Sequence, residues 1–122
     1  MNKPVVLVVD DQPFVCETVA IMLKNTYEVH TFTSGKDAMD YMSDRTVDLV
    51  LLDYEMPNMT GFEVLLGIRT NKHNSKTPVI FLTAETNERM KMEMIERGAA
   101  DYICKPINAS VLNQSIKKQL SS

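Results

Sequence analysis

The sequence predicts an α/β fold, in which one five-stranded parallel sheet is covered by helices on both faces. Short apolar, β-branched runs alternate along the chain with segments of helical periodicity, which is the pattern of βα units. Three of these runs are almost continuously apolar, as expected of strands that are covered on both sides. The chain has 122 residues, 44% of them hydrophobic. This size suits one domain, and we expect it to span residues 1–122.

The first predicted strand is PVVLVVD (4–10), and the first helix starts within residues 11–13 and runs to about Asn25. Asp11, Gln12 and Pro13 favour a helix start, because an acid can cap a helix and proline fits its first turn. Apolar residues at helical spacing predict the buried stripe of this helix: Val15, Val19, Met22 and Leu23.

The central elements continue the alternation. YEVHTF (27–32) alternates like a more exposed strand, and Ser34 can cap a helix that ends near Met42. A second wholly apolar strand, VDLVLLD (47–53), precedes a helix from Gly61 to about Arg69.

The C-terminal third has the same organisation. TPVIFLT (77–83) predicts a buried strand, and the helix from Asn87 to Arg97 should stop at Gly98. A short strand, DYIC (101–104), precedes Lys105-Pro106, and Asn108 can cap the last helix. The apolar positions of that helix are Val111, Leu112, Ile116 and Leu120. Right-handed crossovers should join the parallel strands.

Charge and composition exclude several classes of protein. The formal net charge is -3 and lysines and arginines form no run, so we expect no direct contact with nucleic acid. Lys117 and Lys118 are interpreted as a solvated helix end. No apolar segment approaches the roughly 20 residues of a membrane span, and the N-terminus lacks the features of a signal peptide. The sequence therefore predicts a cytoplasmic protein without membrane contact.

The cysteines and histidines show no metal-binding or disulfide pattern. Cys16 and Cys104 form no CxxC motif, and we expect buried, reduced thiols. His30 and His73 lie far apart and are interpreted as structural or surface residues.

Polar residues follow four of the predicted strands. Asp10 and Asp11 follow strand 1, Asp53 ends strand 3, Thr83 ends strand 4 and Lys105 follows strand 5. The carboxyl ends of parallel strands share one edge of a sheet, where ligands bind. Three carboxylates there would repel one another unless cations balance them. Lys105 supplies one positive charge, and Mg²⁺ suits the remainder.

This combination predicts phosphoryl chemistry. A hydroxyl, an ammonium group and a metal around one carboxylate can stabilise a transferring phosphoryl group, with Asp53 as the nucleophile. Taken singly, each residue has a simpler interpretation. Asp11 can be a helix cap, Asp53 a turn residue, Thr83 a strand end and Lys105 a solvated lysine.

Four segments together resemble the receiver domain of two-component response regulators: VVDD (8–11), LLDYEMPNMTG (51–61), TAE (83–85) and GAADYICKP (98–106). The similarity covers essentially the whole chain and is of the chemotaxis-regulator type. It implies a flavodoxin-like receiver fold with strand order 2-1-3-4-5.

The resemblance also implies the role of each site residue. Asp53 would accept a phosphoryl group from a phosphohistidine of a sensor histidine kinase or phosphotransfer protein. Asp11 and Asp53 would ligate Mg²⁺ directly, Asp10 through water, and Glu55 through its backbone carbonyl. Thr83 and Lys105 would contact phosphoryl oxygens. The protein would not be an enzyme beyond catalysing its own phosphorylation and dephosphorylation.

Signal output is implied in the same way. Thr83 would move toward the phosphoryl oxygens while Tyr102 swings inward, which biases an existing two-state equilibrium. Helix 4, strand 5 and helix 5 would then form the face for a downstream target or output domain. The Lys105-Pro106 bond would be cis. Ile107 departs from the phenylalanine that is common after Lys-Pro in this family. A monomer is expected, with phosphorylation-dependent dimerisation left open.

Two hypotheses concern residues outside this set. Glu55 and Glu85, two positions past Asp53 and Thr83, would tune phosphoryl lifetime and repel small anionic donors. Phe14, Thr18 and Ile21 lie away from the buried stripe of helix 1 and would form a kinase-docking patch, unless they are scattered surface residues. The helix 4 methionines raise a similar question of surface or core, with at least one expected in the core: Met90, Met92 and Met94.

Three other functions remain as alternatives. A haloacid dehalogenase-type phosphatase also uses a strand-end aspartate, but it needs a longer core and a DxD pair. A flavodoxin-like cofactor carrier would need a phosphate-binding loop rich in Ser, Thr and Gly after strand 1. A receiver-shaped module could bind partners without being phosphorylated. The chain itself is either a stand-alone receiver or part of a larger regulator.

Overall fold

A computed structural model describes residues 2–121, which form a five-stranded parallel sheet in the order β2-β1-β3-β4-β5. The strands are β1 (Val5–Val9), β2 (Glu28–Phe32), β3 (Leu49–Asp53), β4 (Val79–Thr83) and β5 (Asp101–Cys104). The helices are α1 (Pro13–Leu23), α2 (Gly35–Met42), α3 (Gly61–Arg69), α4 (Glu88–Glu96) and α5 (Ala109–Leu120). The predicted fold class, element order and strand order are confirmed.

The apolar side chains of each strand alternate between two cores. Val6 and Val8 of β1 pack with residues of α1 and α5, whereas Leu7 and Val9 pack with residues of α2, α3 and α4. Every residue of β3 and β4 is buried. Because burial of one such apolar side chain contributes about 1.5–3 kcal/mol, the two central strands are held rigidly between the helix layers. Their carboxyl ends are consequently fixed in position.

Most of the helices begin where the sequence predicts, at residues whose side chains cap them. Ser34 and Asn108 accept backbone hydrogen bonds at the starts of α2 and α5. Thr60 and Glu63 form a reciprocal capping box at α3. The expectation that Asp11 caps α1 is wrong. The N-cap is Gln12, its side chain makes no capping hydrogen bond, and the proline that follows fits the first turn.

The buried stripe of α1 differs in part from the prediction. Val19 and Leu23 are buried, but Cys16 takes the third buried position, and Val15 and Met22 are only half-buried. The helix also ends at Leu23, two residues before the predicted Asn25. The Cys16 thiol packs beneath the end of β1, where it donates to the backbone oxygen of Asp10 at 3.3 Å.

The prediction that both cysteines are buried is wrong for Cys104, which is exposed. It is the last residue of β5, where the edge of the sheet meets the carboxyl ends of the strands, so fewer elements surround its side chain. Val111 of α5 is likewise half exposed, whereas Leu112 and Ile116 are buried. Among residues 2–121, no helix combines the length and apolar character needed to cross a bilayer.

Candidate functional site

Three carboxylates meet at the carboxyl edge of the sheet. β1 and β3 are paired with Val9 opposite Leu52, so Asp10 and Asp53, the next residues, lie side by side. One oxygen from each of Asp10, Asp11 and Asp53 lies within 4.8 Å of the others. Asp10 and Asp53 are buried, and Asp11 is half-buried. The predicted convergence of these acids is confirmed as geometry.

Lys105 lies against this cluster. Its Nζ is 2.9 Å from Asp10 Oδ2 and 3.3 Å from Asp53 Oδ1. Burial disfavours the charged amine, but contact with Asp10 and the charges of Asp53 and Asp10 outweigh it and raise the pKa of Lys105. The Lys105-Pro106 peptide bond that follows is cis, as expected.

The Lys105 ammonium group contacts two of the three clustered carboxylates, those of Asp10 and Asp53. Asp10 Oδ1 accepts from the backbone N–H of Gln12 at 2.9 Å. Asp10 Oδ2 is buried, and its close partner among the described residues is the Lys105 ammonium group, at 2.9 Å. Asp10 Oδ2 thus depends on one ammonium group that Asp53 shares.

The electrostatics of Asp53 point the same way. Burial and the charge of Asp10 raise the pKa of Asp53 to about 7, although Lys105 and the backbone N–H of Glu55 act in the opposite direction. One lysine is thus too little positive charge for three clustered acids. The donor set fits a divalent cation that prefers oxygen ligands, and Asp10, Asp11 and Asp53 are the residues that could hold it.

Thr83 ends the neighbouring strand. β3 and β4 are paired with Asp53 opposite Leu82, which places Thr83 one residue further along at the same edge. Its hydroxyl oxygen accepts a 2.8 Å hydrogen bond from the backbone N–H of Glu85. The hydroxyl therefore ties the end of β4 to the loop that leads into α4.

The two glutamates beside the cluster are held differently. The backbone N–H of Glu55 donates to Asp53 Oδ1 at 3.3 Å, while its side chain is exposed. The carboxylate of Glu85 accepts from the backbone N–H of Asn87 at 2.8 Å, at the start of α4. Both residues border the site, as their spacing predicts.

Sequence reasoning missed the aromatic cluster next to Asp53. The rings of Tyr54, Phe62 and Phe81 pack edge-to-face with centroids 5.3–5.8 Å apart. The hydroxyl of Tyr54 donates to the sulfur of Met90 on α4 at 3.0 Å. Tyr54 directly follows the strand-end aspartate, and that position was the one signal available from the sequence.

The remaining predicted residues lie where their spacing suggested. Tyr102 is half-buried against the α2–α4 core. Phe14 and Ile21 are 77% and 67% exposed on α1, with the Thr18 hydroxyl donating to the backbone oxygen of Phe14. The three helix 4 methionines divide as expected: Met94 is buried, Met90 is half-buried and Met92 is exposed.

Comparison with known proteins identifies the family. The family model described as "Response regulator receiver domain" matches residues 6–117. The chain is 34% identical over 110 residues to the two-component response regulator ORR3 of rice, covering 88% of this chain and 84% of that protein. It is 35% identical over its full length to a probable cyclic di-GMP phosphodiesterase of Vibrio cholerae, but spans only 28% of that protein.

Solved structures agree with this result. The chemotaxis protein CheY4 of Vibrio cholerae superimposes with a TM-score of 0.91 at 32% identity, covering 97% of this chain and 99% of CheY4. The receiver domain of a putative LuxO repressor from Vibrio parahaemolyticus gives 0.89 at 31% identity, covering 98% and 91%. With its strand order and strand-end acids, the chain belongs to the response regulator receiver domain family of two-component signalling.

Proposed function

We propose that the protein is a phosphoacceptor switch, in which Asp53 takes a phosphoryl group from a sensor histidine kinase or phosphotransfer protein. The observation that carries this proposal is the convergence of Asp53 with Asp10, Asp11 and Lys105 at one sheet edge. Among the three carboxylates, Asp53 is the one at the end of the central strand, β3, and it is therefore the proposed acceptor.

In the transfer step, a carboxylate oxygen of Asp53 forms a bond to phosphorus while the phosphorus–nitrogen bond of the phosphohistidine breaks. The departing imidazole keeps the electron pair of that bond and takes up a proton. Lys105, 3.3 Å from Asp53 Oδ1, is placed to contact a phosphoryl oxygen. The N–H of Glu55 orients the same carboxylate oxygen.

We propose Mg²⁺ as the cation of the site, held directly by the carboxylates of Asp11 and Asp53 and the backbone carbonyl of Glu55, and by Asp10 through water. The three carboxylates clustered around one ammonium group and the raised pKa of Asp53 support this assignment. When bound, the ion supplies positive charge that stabilises the phosphoryl oxygens during transfer. The N–H of Glu55 orients the Asp53 carboxylate, and the charge of Lys105 favours its deprotonated form.

Output is proposed to pass through Thr83 and Tyr102. To contact a phosphoryl oxygen, the Thr83 hydroxyl would donate its hydrogen to it, and movement toward that oxygen would weaken the hydrogen bond from the N–H of Glu85 and loosen the loop before α4. Tyr102 lies on the adjacent strand, and its change of orientation would alter the face made by α4, β5 and α5. A downstream target or output domain, or a second copy after phosphorylation, is the proposed reader of this face.

Kinase docking is proposed for Phe14, Thr18 and Ile21. The two apolar side chains are exposed on the helix that begins beside Asp11, so a donor bound there would be close to the acids. Phe14→Ala with Ile21→Ala should slow phosphotransfer from the kinase but not from a small acyl phosphate. Equal loss with both donors would contradict docking, and Val111→Ala on α5 is the exposed apolar control.

Glu55 and Glu85 are proposed to tune the lifetime of the phosphoryl group. Glu55→Gln and Glu85→Gln together should speed labelling by an anionic donor and change the hydrolysis rate. Unchanged rates would remove this role.

We further propose that residues 1–122 form one receiver domain that acts in the cytoplasm; Met1 and Ser122 lie outside the described residues.

The proposed function is tested by intact-protein mass after incubation with acetyl phosphate and Mg²⁺. A gain of one phosphoryl group in the wild type, absent from Asp53→Ala, is expected. If neither the phosphoryl group nor a beryllofluoride adduct forms on the wild type, the chain is a receiver-shaped module that only binds partners.

A further inference from the structure

Lys91 of α4 is held in an unusual position for a lysine on a surface helix. Its side chain is only 13% exposed, whereas Lys36 of α2, in an ordinary exposed ion pair, is 82% exposed. The Nζ of Lys91 lies 5.3 Å from the centre of the Tyr102 ring. It is also 3.6 Å from Glu88, one turn earlier on the same helix. The ammonium group is therefore directed along the helix and over β5.

The sheet register places Tyr102 between this ammonium group and the core. Tyr102 is opposite Phe81 in the pairing of β4 and β5, and Phe81 is fully buried in the α2–α4 core. Thr83 lies two residues after Phe81 on the same strand, so its side chain points to the same face. The ring thus has the core beneath it, Lys91 above it and the end of β4 beside it.

A cation within about 6 Å of an aromatic ring centre is attracted to the face of that ring. If the ring turned outward, Lys91 would lose this contact and keep its neighbours Glu88 and Cys104. The contact thus stabilises the half-buried orientation of Tyr102 relative to any other. A cation–π contact of typical strength changes the ratio of the two orientations of the ring by about twofold to fivefold.

We propose that Lys91 is a positioning residue for Tyr102: from α4 it holds the ring half-buried and so sets how often the ring leaves that orientation. This inference deepens the proposed function, since it rests on Tyr102 being the switch residue of the receiver. It adds a residue of α4 whose charge adjusts the equilibrium before any phosphoryl group arrives.

The test follows the Tyr102 ring in the unphosphorylated protein. The four tyrosines are replaced by 3-fluorotyrosine, the Tyr102 resonance is assigned with Tyr102→Phe, and ¹⁹F exchange measurements give the ratio of its two orientations. The solvent-isotope shift of each resonance identifies the more exposed one. Lys91→Met keeps the length and apolar stem of the side chain but removes the charge, whereas Lys91→Arg keeps the cation.

Lys91→Met should raise the ratio of exposed to half-buried Tyr102 about twofold to fivefold, Lys91→Arg should restore it, and Lys36→Met should leave it unchanged. If Lys91→Met does not fold, Lys91→Gln takes its place. The proposal is wrong if the ratio does not change, if neither protein shows a second orientation, or if the arginine variant behaves like the methionine variant. Because no phosphoryl transfer is involved, loss of acetyl phosphate labelling would contradict the proposed function without affecting this result.

Discussion

Asp53→Asn should stabilise the protein when no divalent cation is present. Asparagine has nearly the same shape as aspartate and keeps an oxygen that can accept from Glu55 N–H and contact Lys105. It removes the negative charge that burial and Asp10 make unfavourable. Its NH₂ group also adds a donor beside the other carboxylates. The substitution therefore relieves repulsion without emptying the site.

The structure sets the size of this effect. A rise in the pKa of Asp53 from 3.8 to about 7 corresponds to a ceiling of about 4 kcal/mol, at about 1.36 kcal/mol for each tenfold change in proton affinity. The cluster lies at the open edge of the sheet, and solvent screens part of this energy. We expect about 1–3 kcal/mol at pH 8, or roughly 4–12 °C in Tm for a domain of this size.

The sign of the pH dependence follows from linkage. Because the folded protein holds a proton on Asp53 more tightly than the unfolded chain, the stability from this group is complete below about pH 4 and is lost as pH rises through about 7. The advantage of Asp53→Asn over the wild type should accordingly be complete at pH 8 and much smaller at pH 5.

Urea unfolding in EDTA at pH 5 and pH 8 measures this difference. Asp44→Asn makes the same chemical change at an exposed loop residue and should alter stability by less than about 0.5 kcal/mol. Added Mg²⁺ should stabilise the wild type and reduce the gap. The reasoning is refuted if Asp53→Asn is no more stable than the wild type at pH 8, or if its advantage is the same at pH 5.

Three further predictions concern the same region. Thr83→Ala should lower the free energy of unfolding by about 1 kcal/mol, because the N–H of Glu85 loses its acceptor. Urea unfolding measures this loss, and an unchanged stability would contradict it. Asp53 of this variant should still be labelled by acetyl phosphate, which intact-protein mass detects. Gly61→Ala should destabilise the folded protein by about 1–3 kcal/mol, because the added Cβ would lie 2.6 Å from the ring of Phe81. Gly98→Ala is the comparison, since that glycine has a positive φ but open space around it and tests backbone strain alone. A wild-type Tm for Gly61→Ala would show that the Phe81 ring moves freely. Binding of Mg²⁺ should release about half a proton near pH 7 and close to one at pH 6, because the cation displaces the proton of Asp53. Calorimetry in buffers of different ionisation enthalpy measures the number of protons released. Zero release would contradict the raised pKa of Asp53.

The sequence predicts the fold well because its signals are local and repeated. Continuous apolar runs such as 47–53 and 77–83 mark buried strands, and residues such as Ser34 and Asn108 mark helix starts. The convergence of the acids then follows from the parallel sheet, because strand ends share one edge. Sequence alone did not fix the strand order, which came from the family resemblance.

Other features depend on three-dimensional packing and leave no periodic signal. Its cysteine type predicts that Cys104 is buried, yet it is exposed, because it is the last residue of β5 at the corner of the sheet. Lys91 has an unremarkable helical position in the sequence, and its contact with Tyr102 arises only when α4 crosses β5. The bond between Thr83 and Glu85 N–H likewise depends on the conformation of a loop, which residue types alone do not specify.

The most direct test of the central claim is the mass of the intact protein after incubation with acetyl phosphate, with and without Mg²⁺, in the wild type and in Asp53→Asn. We predict a gain of one phosphoryl group only in the wild type with Mg²⁺, lost on treatment with hydroxylamine as an acyl phosphate should be. A gain of the same size in Asp53→Asn, or one that resists hydroxylamine, would contradict the assignment of Asp53 as the phosphoacceptor.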